Sequence, residues 1–286
     1  MQPAKDTQAG RGRGHRAWSA CGFVAALGVL TLPGCGGGSG GSDWYRPAAR
    51  TTWQIQLLAD AAHPLDTGVD AELYDVDLFD TEAATIAALH ADGRKVICYF
   101  STAWEQWRPD ADDFPAAVKG NDMDGWPGEK WVDIRDPAVL GIMERRMDLA
   151  RAKGCDGVDP DNVHAYELGA LETGFELTAA DQLSFNRALA GAAHARGLAI
   201  GLKNDLSQVA ALVQDFDFSI NEQCYYYDEC DLLQPFVAAG KPVFHLEYDA
   251  AYRADPSALC ADSLARDHRT LIMPLGLDGS FRIACE

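Results

Sequence analysis

Basic residues are scarce in this chain: 24 Lys plus Arg stand against 43 Asp plus Glu, a formal charge of −19. Phosphate backbones repel such a surface, so electrostatic binding of nucleic acid is excluded. Long apolar runs are also missing. The apolar stretch 20–32 has about 13 residues, whereas a membrane-crossing helix requires roughly 20. Neither a Cys-x-x-Cys pair nor a group of neighbouring histidines is present, which removes the common zinc patterns. No Gly-x-Gly-x-x-Gly turn follows an early strand, which removes the usual dinucleotide signature. Neither metal nor cofactor is expected. Apolar residues, by contrast, make up 48% of the 286, enough for a sizeable core and too many for general disorder.

Arg11, Arg13 and Arg16 precede the apolar run, which ends in Leu32-Pro33-Gly34-Cys35. Basic residues, a short apolar stretch and a Leu-x-Gly-Cys ending resemble a bacterial lipoprotein signal. That predicts cleavage after Gly34, lipidation of Cys35 and attachment to the membrane at the cell envelope, outside the cytoplasm; ordinary secretion with another cleavage point is the alternative. The following GGGSGGS has nothing to bury and reads as a flexible tether. The expected organisation is therefore a signal segment at 1–34, the lipidated cysteine and tether at 35–50, and one folded domain at 51–286. Loss of residues 1–34 removes Lys5, Arg11, Arg13, Arg16 and Asp6, shifting the charge from −19 to −22.

Six cysteines remain beyond Cys35, as suits an oxidising compartment. Cys224 and Cys230 flank a short polar and aromatic loop and are the first expected pair. Cys260 with Cys285 would staple the last helix to the carboxyl terminus. Cys98 and Cys155 lie in consecutive strand candidates, and either a bond or two reduced core thiols is compatible with that placement.

Apolar runs recur eight times, at 53–58, 71–76, 95–100, 155–159, 198–202, 216–221, 242–247 and 270–275. Helical patterns lie between them with explicit punctuation. Asp80 would cap a helix over 81–90. Asp136-Pro137 opens one that Gly154 closes, and Thr178 with Asp181 forms a capping-box pattern before a helix running to Arg196. Shorter helices are expected over 206–213, 232–239 and 256–266. Eight strand–helix alternations in about 235 residues predict an α/β fold, a single (β/α)8 TIM barrel. An open doubly wound sheet is the alternative, weakened by the absent glycine turn.

In a barrel of this kind the strand carboxyl ends converge on one mouth. Here those ends are acidic: Asp75 and Asp77, Asp159 and Asp161, Asp205, Glu222, Glu247 and Asp249. Paired carboxylates at one mouth suit glycosidic hydrolysis, where one protonates the departing oxygen and the other attacks the sugar or activates water. Asp161 and Glu222 are the candidate pair. Asp159 shares the strand parity of Asp161, and Glu247 is a spare carboxylate. Trp104, Trp107, Trp126 and Trp131, and the run Tyr225 to Tyr227, could stack on sugar faces or simply roof the barrel.

The segments Val96-Ile-Cys-Tyr-Phe-Ser101, Gly125-Trp-Pro-Gly128, Gly154-Cys-Asp-Gly-Val-Asp-Pro-Asp-Asn162, Gly201-Leu-Lys-Asn204, Asn221-Glu-Gln-Cys224, Gly240-Lys-Pro-Val-Phe244 and Glu247-Tyr248 together resemble glycoside hydrolase family 114. The resemblance implies a TIM barrel with endo-α-1,4-polygalactosaminidase activity acting on an amino-sugar polysaccharide. It implies a retaining course with Asp161 as nucleophile and Glu222 as acid/base, the roles being exchangeable. Asp77, Tyr99, Trp104, Asp159, Asn162, Lys203, Asn204, Glu247 and Tyr248 are the expected substrate-binding residues. The acidic mouth would attract an amine-bearing chain. Asp77, Asp156, Asp159 and Asp249 are the carboxylates considered for the amine.

Overall fold

A computed structural model describes residues 44–285. The expected signal segment, Cys35 and the glycine-rich run lie outside the described residues. Eight parallel strands follow one another around a curled sheet: β1 (Trp53–Gln56), β2 (Leu73–Asp77), β3 (Lys95–Ser101), β4 (Gly157–Asp161), β5 (Ala199–Lys203), β6 (Phe218–Glu222), β7 (Val243–Glu247) and β8 (His268–Ile272). Each pairs with the next in sequence, and Ile283–Ala284 adds a short antiparallel ninth strand beside β8. The curl brings the two ends together. The Trp53 indole donates to the Arg269 carbonyl at 2.8 Å, and the Leu57 amide to the Leu277 carbonyl at 3.0 Å. This is the TIM-type α/β barrel, and its strands lie within two or three residues of the predicted runs.

Strand alternation creates two apolar cores. Ile55, Leu73, Ile97, Phe218, Phe244, Leu246 and Leu271 fill the barrel interior. Their neighbours on the other face, including Val96, Cys98, Val158, Ile200 and Leu202, pack with the helices. Two glycines make the inner layer possible. A Cβ on Gly157 would sit 2.7 Å from Ile97, and one on Gly201 would run into the Phe218 ring. The same period carries β4 upward from Gly157 to Asp159 to Asp161 and β5 from Gly201 to Lys203. An apolar floor therefore supports a charged upper layer.

The helices start where the sequence chemistry indicates, with one exception. The Asp136 side chain accepts from the Ala138 amide before Pro137–Lys153, and left-handed Gly154 ends that helix. Thr178 and Asp181 exchange both bonds of the capping box before Ala179–Ala195. Asp80, however, does not cap Ala83–Ala91; Glu82 takes the cap position, and Asp80 receives Arg108 at 3.0 Å. The long excursion between β3 and β4 folds into its own three-stranded sheet, which carries Trp104 and Trp131. No helix among the described residues is long and apolar enough to cross a membrane.

Among the described residues, three disulfides join Cys98 to Cys155, Cys224 to Cys230, and Cys260 to Cys285. The first ties β3 to the residues entering β4 and closes a 57-residue separation, against 6 for the second. Loop-closure entropy then assigns about 4 kcal/mol to the first and about 2 kcal/mol to the second. Replacing Cys98 and Cys155 by Ala is expected to lower Tm by roughly 8–16 °C. Calorimetry showing a larger drop for the Cys224–Cys230 pair would contradict that ranking.

Candidate active site

Lys203, the last residue of β5, is the hinge of the mouth. Its side chain is 1% exposed, and its ammonium lies 3.6 Å from Asp159, 3.7 Å from Asp161 and 3.9 Å from Glu222. Because the last two distances share one nitrogen, Asp161 Oδ2 and Glu222 Oε2 are no more than about 7.6 Å apart. That bound spans the roughly 5–5.5 Å of a retaining glycosidase pair and the lower part of the inverting range, about 6.5–9.5 Å.

Each carboxylate is oriented by donors from neighbouring strands. Asp161 accepts the Tyr99 hydroxyl at 3.0 Å and the Asn162 amide at 2.6 Å. Glu222 accepts the Asn204 side-chain amide at 3.1 Å and the Tyr248 hydroxyl. The Asn204 side-chain carbonyl oxygen in turn accepts from the Glu222 backbone amide at 2.9 Å. The chain turns sharply after each functional side chain: Asn162, Asn204 and Gln223, the residues following Asp161, Lys203 and Glu222, all have positive φ (63°, 49° and 63°). Asparagine tolerates that left-handed region better than most side chains, which accounts for Asp-Asn and Lys-Asn at two of the three strand ends.

One ammonium among several acids determines their protonation. Burial opposes ionisation of Asp161, but Lys203, the Asn162 amide and the Tyr99 hydroxyl hold its carboxyl below the usual range, so it is anionic. Asp159 lies beneath the cleft, and burial pushes it up to about 7 despite Lys203. Asp75 on β2 is also fully buried; desolvation first, then Asp159, drive it well above the ordinary carboxyl value. Among the described residues, neither oxygen of Asp75 or Asp159 has a hydrogen-bond partner. Burial would lower Lys203, but Asp161, Glu222, Asp159 and Asp75 together raise it, so it stays charged.

A cleft of about 540 Å³ opens above this layer. Asp161, Glu222, Tyr99, Asn162, Lys203 and Asn204 line it, and Tyr248 reaches it through Glu222. Four expected binding residues are not brought there: Asp159 lies beneath the cleft, and Asp77, Trp104 and Glu247 are held elsewhere. Asp77 is held by Arg108 through contacts of 2.6 and 3.1 Å. Trp104 donates to the Ala111 carbonyl and lies under the Lys119 ammonium. Glu247 has the parity of Val243 and His245 and so faces out of the barrel. It is fully buried, lies 3.2 Å from His245 and accepts the Tyr225 amide. Glu129, Glu167, Asp205 and Glu229 also line the cleft, together with Trp126 and Tyr227. None of these four acids was among the expected binding residues, although Asp205 ends the polar run Lys203-Asn204-Asp205.

Burial first, and then Glu167, push the Asp205 carboxyl up to about 8. A raised value means that folding favours the protonated form. Its contribution is present below about 3.8, the ordinary value, and is lost as pH rises through about 8. Asp205→Asn removes that loss. The variant's Tm advantage is expected to be small at pH 4 and to grow toward pH 9; thermal melts with the same difference at both pH values would contradict this.

The family model for glycoside hydrolase family GH114 matches residues 38–286. A crystal structure of Ega3 from Aspergillus fumigatus, in complex with galactosamine, superposes with a TM-score of 0.77 at 44% identity, covering 84% of this chain and 97% of that one. The glycoside hydrolase domain of PelA from Pseudomonas aeruginosa shares the fold, with a TM-score of 0.64 and 16% identity over 82% of this chain and 98% of that one. An uncharacterized protein of Deinococcus radiodurans is 31% identical over 230 residues, 68% of this chain and 71% of that one. With a match over nearly all of the barrel and acids gathered at its mouth, the chain belongs to glycoside hydrolase family GH114 and is an endo-acting glycoside hydrolase.

Proposed function

We propose that this enzyme cuts within α-1,4-linked galactosamine-containing polysaccharide and does so with retention, outside the cytoplasm, anchored through a lipidated Cys35. The observation that carries the reading is the approach of Asp161 and Glu222 to one buried ammonium in an acid-lined cleft, in a chain 44% identical to a protein solved with galactosamine. Asp161, held anionic, attacks the anomeric carbon while Glu222 donates a proton to the departing glycosidic oxygen. The C–O bond breaks and a glycosyl ester forms on Asp161. Glu222, now a carboxylate, takes a proton from water. That water attacks the same carbon, releasing the sugar and regenerating Asp161. Lys203 limits repulsion between the two carboxylates, and Tyr99, Asn204 and Tyr248 fix their orientation.

Incubation with partially deacetylated galactosaminogalactan is expected to give new reducing ends and a falling mean chain length. Binding without new reducing ends would favour instead a carbohydrate-binding lipoprotein that does not cut. Mass analysis of the membrane fraction before and after Cys35→Ala tests the anchor; unchanged processing and membrane association would overturn it.

A further inference from the structure

Glu247 ends β7 beside the catalytic pair without lining the cleft, and its hydrogen bonding goes to the chain that follows Glu222. The ladder between β6 and β7 runs as far as Leu246 opposite Glu222, and the Gln223 amide donates to the Leu246 carbonyl at 2.7 Å. The chain then leaves the sheet through Gln223, whose φ of 63° lies in the left-handed region that a glutamine side chain disfavours. Side chains of β7 take over as acceptors. The Cys224 amide donates to His245 Nε2 at 3.2 Å, and the Tyr225 amide to Glu247 Oε1 at 2.9 Å. Three successive amides after Glu222 are therefore held by three successive residues of one strand.

The acceptors are themselves immobilised. His245 and Glu247 are fully buried and lie 3.2 Å apart; His245 Nδ1 is 3.0 Å from Thr270 Oγ1, and that hydroxyl is 2.6 Å from Ser263 Oγ. Glu247 is followed by Tyr248, whose hydroxyl donates to Glu222. One stretch of β7 thus fixes Glu222 from two sides: Tyr248 reaches its carboxylate, and Glu247 holds the backbone three residues further along. Beyond that point the Cys224–Cys230 disulfide closes the loop that carries Tyr227 and Glu229 to the cleft. Of the two Glu247 oxygens only Oε1 is engaged; Oε2 is buried with no hydrogen-bond partner among the described residues.

We propose that Glu247 is a positioning residue for the proton-transfer step, holding Glu222 at the glycosidic oxygen through the Tyr225 amide on one side and Tyr248 on the other. This rests on the assignment of Glu222 as acid/base and deepens it. A proton passes between the two oxygens only over hydrogen-bond distance, so a drift of about 1 Å in the carboxyl can cost about 10²-fold in rate. Reach, rather than charge, is what the role demands of Glu247. Glutamine keeps an oxygen at the Oε1 position and alters only the unengaged one, whereas aspartate keeps the charge and withdraws it from the Tyr225 amide by one methylene.

The test compares Glu247→Gln with Glu247→Asp on two substrates: an α-1,4-galactosamine oligomer, whose departing oxygen needs a proton, and the 4-nitrophenyl α-glycoside of a galactosamine disaccharide, whose nitrophenolate leaves without one. Rates are read well below the Tm of each variant. Glu247→Gln is expected to keep kcat/KM within about threefold of wild type on both substrates. Glu247→Asp should lose about 20-fold or more in kcat on the oligomer with KM within about threefold, and less than about threefold in kcat/KM on the nitrophenyl glycoside. Glu247→Asp as active on the oligomer as Glu247→Gln, or equally impaired on both substrates, overturns the positioning role. Failure of the underlying reading shows elsewhere: Glu222→Gln should also spare kcat/KM on the nitrophenyl glycoside, and losing both substrates alike would remove Glu222 as the acid whatever the order of the two Glu247 variants.

Discussion

Replacing Asp161 by Asn, or Glu222 by Gln, is expected to lower cleavage of the galactosamine polymer by at least about 10³-fold, with Tm changed by only a few degrees. Both substitutions preserve shape and hydrogen-bonding capacity while removing the charge or the transferable proton. In Asp161→Asn the introduced carbonyl oxygen can accept from the Asn162 amide while the new NH2 faces the Tyr99 hydroxyl oxygen and can donate to it, but no glycosyl ester can form. The Glu222→Gln change keeps the Asn204 and Tyr248 contacts but loses proton transfer in both steps. A 10³-fold loss corresponds to about 4 kcal/mol of transition-state stabilisation. Small azide ions should restore some turnover at Asp161→Asn by attacking the anomeric carbon in its place, with inversion in the product. Wild-type rates in both variants would remove the pair from the mechanism.

Lys203→Met is expected to produce the second large effect, on activity and stability together. The ammonium is the cation nearest Asp161, Glu222 and Asp159, and breaking a buried pair by removing one partner costs about 3–5 kcal/mol. Asp161 is held below its ordinary value largely by Lys203, so its stabilisation is present above the unfolded carboxyl value and lost as pH falls through the folded one. In the Met variant that carboxyl rises, and the window in which Asp161 is anionic shifts upward. We expect at least a 10²-fold loss of kcat near neutral pH, partly recovered at higher pH. Adding Asp159→Asn removes a carboxyl that Lys203 no longer offsets and should restore part of the Tm at alkaline pH, where that carboxyl ionises, without restoring activity. Unaltered kcat and pH profile in Lys203→Met would show that the cation does not control the pair.

The barrel was legible because its strands alternate and its helices carry explicit caps; Asp136, Gly154, Thr178 and Asp181 all perform the roles their residue types suggest. Asp161, Lys203 and Glu222 were legible for a related reason. Each ends an apolar run whose inner-facing parity is visible in Gly-Val-Asp-Pro-Asp, Gly-Leu-Lys and Phe-Ser-Ile-Asn-Glu. Glu247 looked equivalent only while strand position was read without parity: Phe244 and Leu246 point inward, so Glu247 points outward. Trp104 and Asp80 were misplaced because the excursion after β3 folds back on itself and brings Arg108 to Asp77 and Asp80, a contact that local spacing does not encode. The Cys98–Cys155 bond required the β3–β4 register, and the Asn186 contact to Asp205 comes from a helix earlier in the chain.

The anomeric form of the first product released from an α-1,4-galactosamine oligomer, followed by proton NMR before mutarotation, tests the central claim most directly. Attack by Asp161 followed by water attack on the same carbon predicts that new reducing ends appear first as the α-anomer and then equilibrate. Initial appearance of the β-anomer would contradict a covalent Asp161 intermediate. The absence of any new reducing end would contradict the assignment of this substrate.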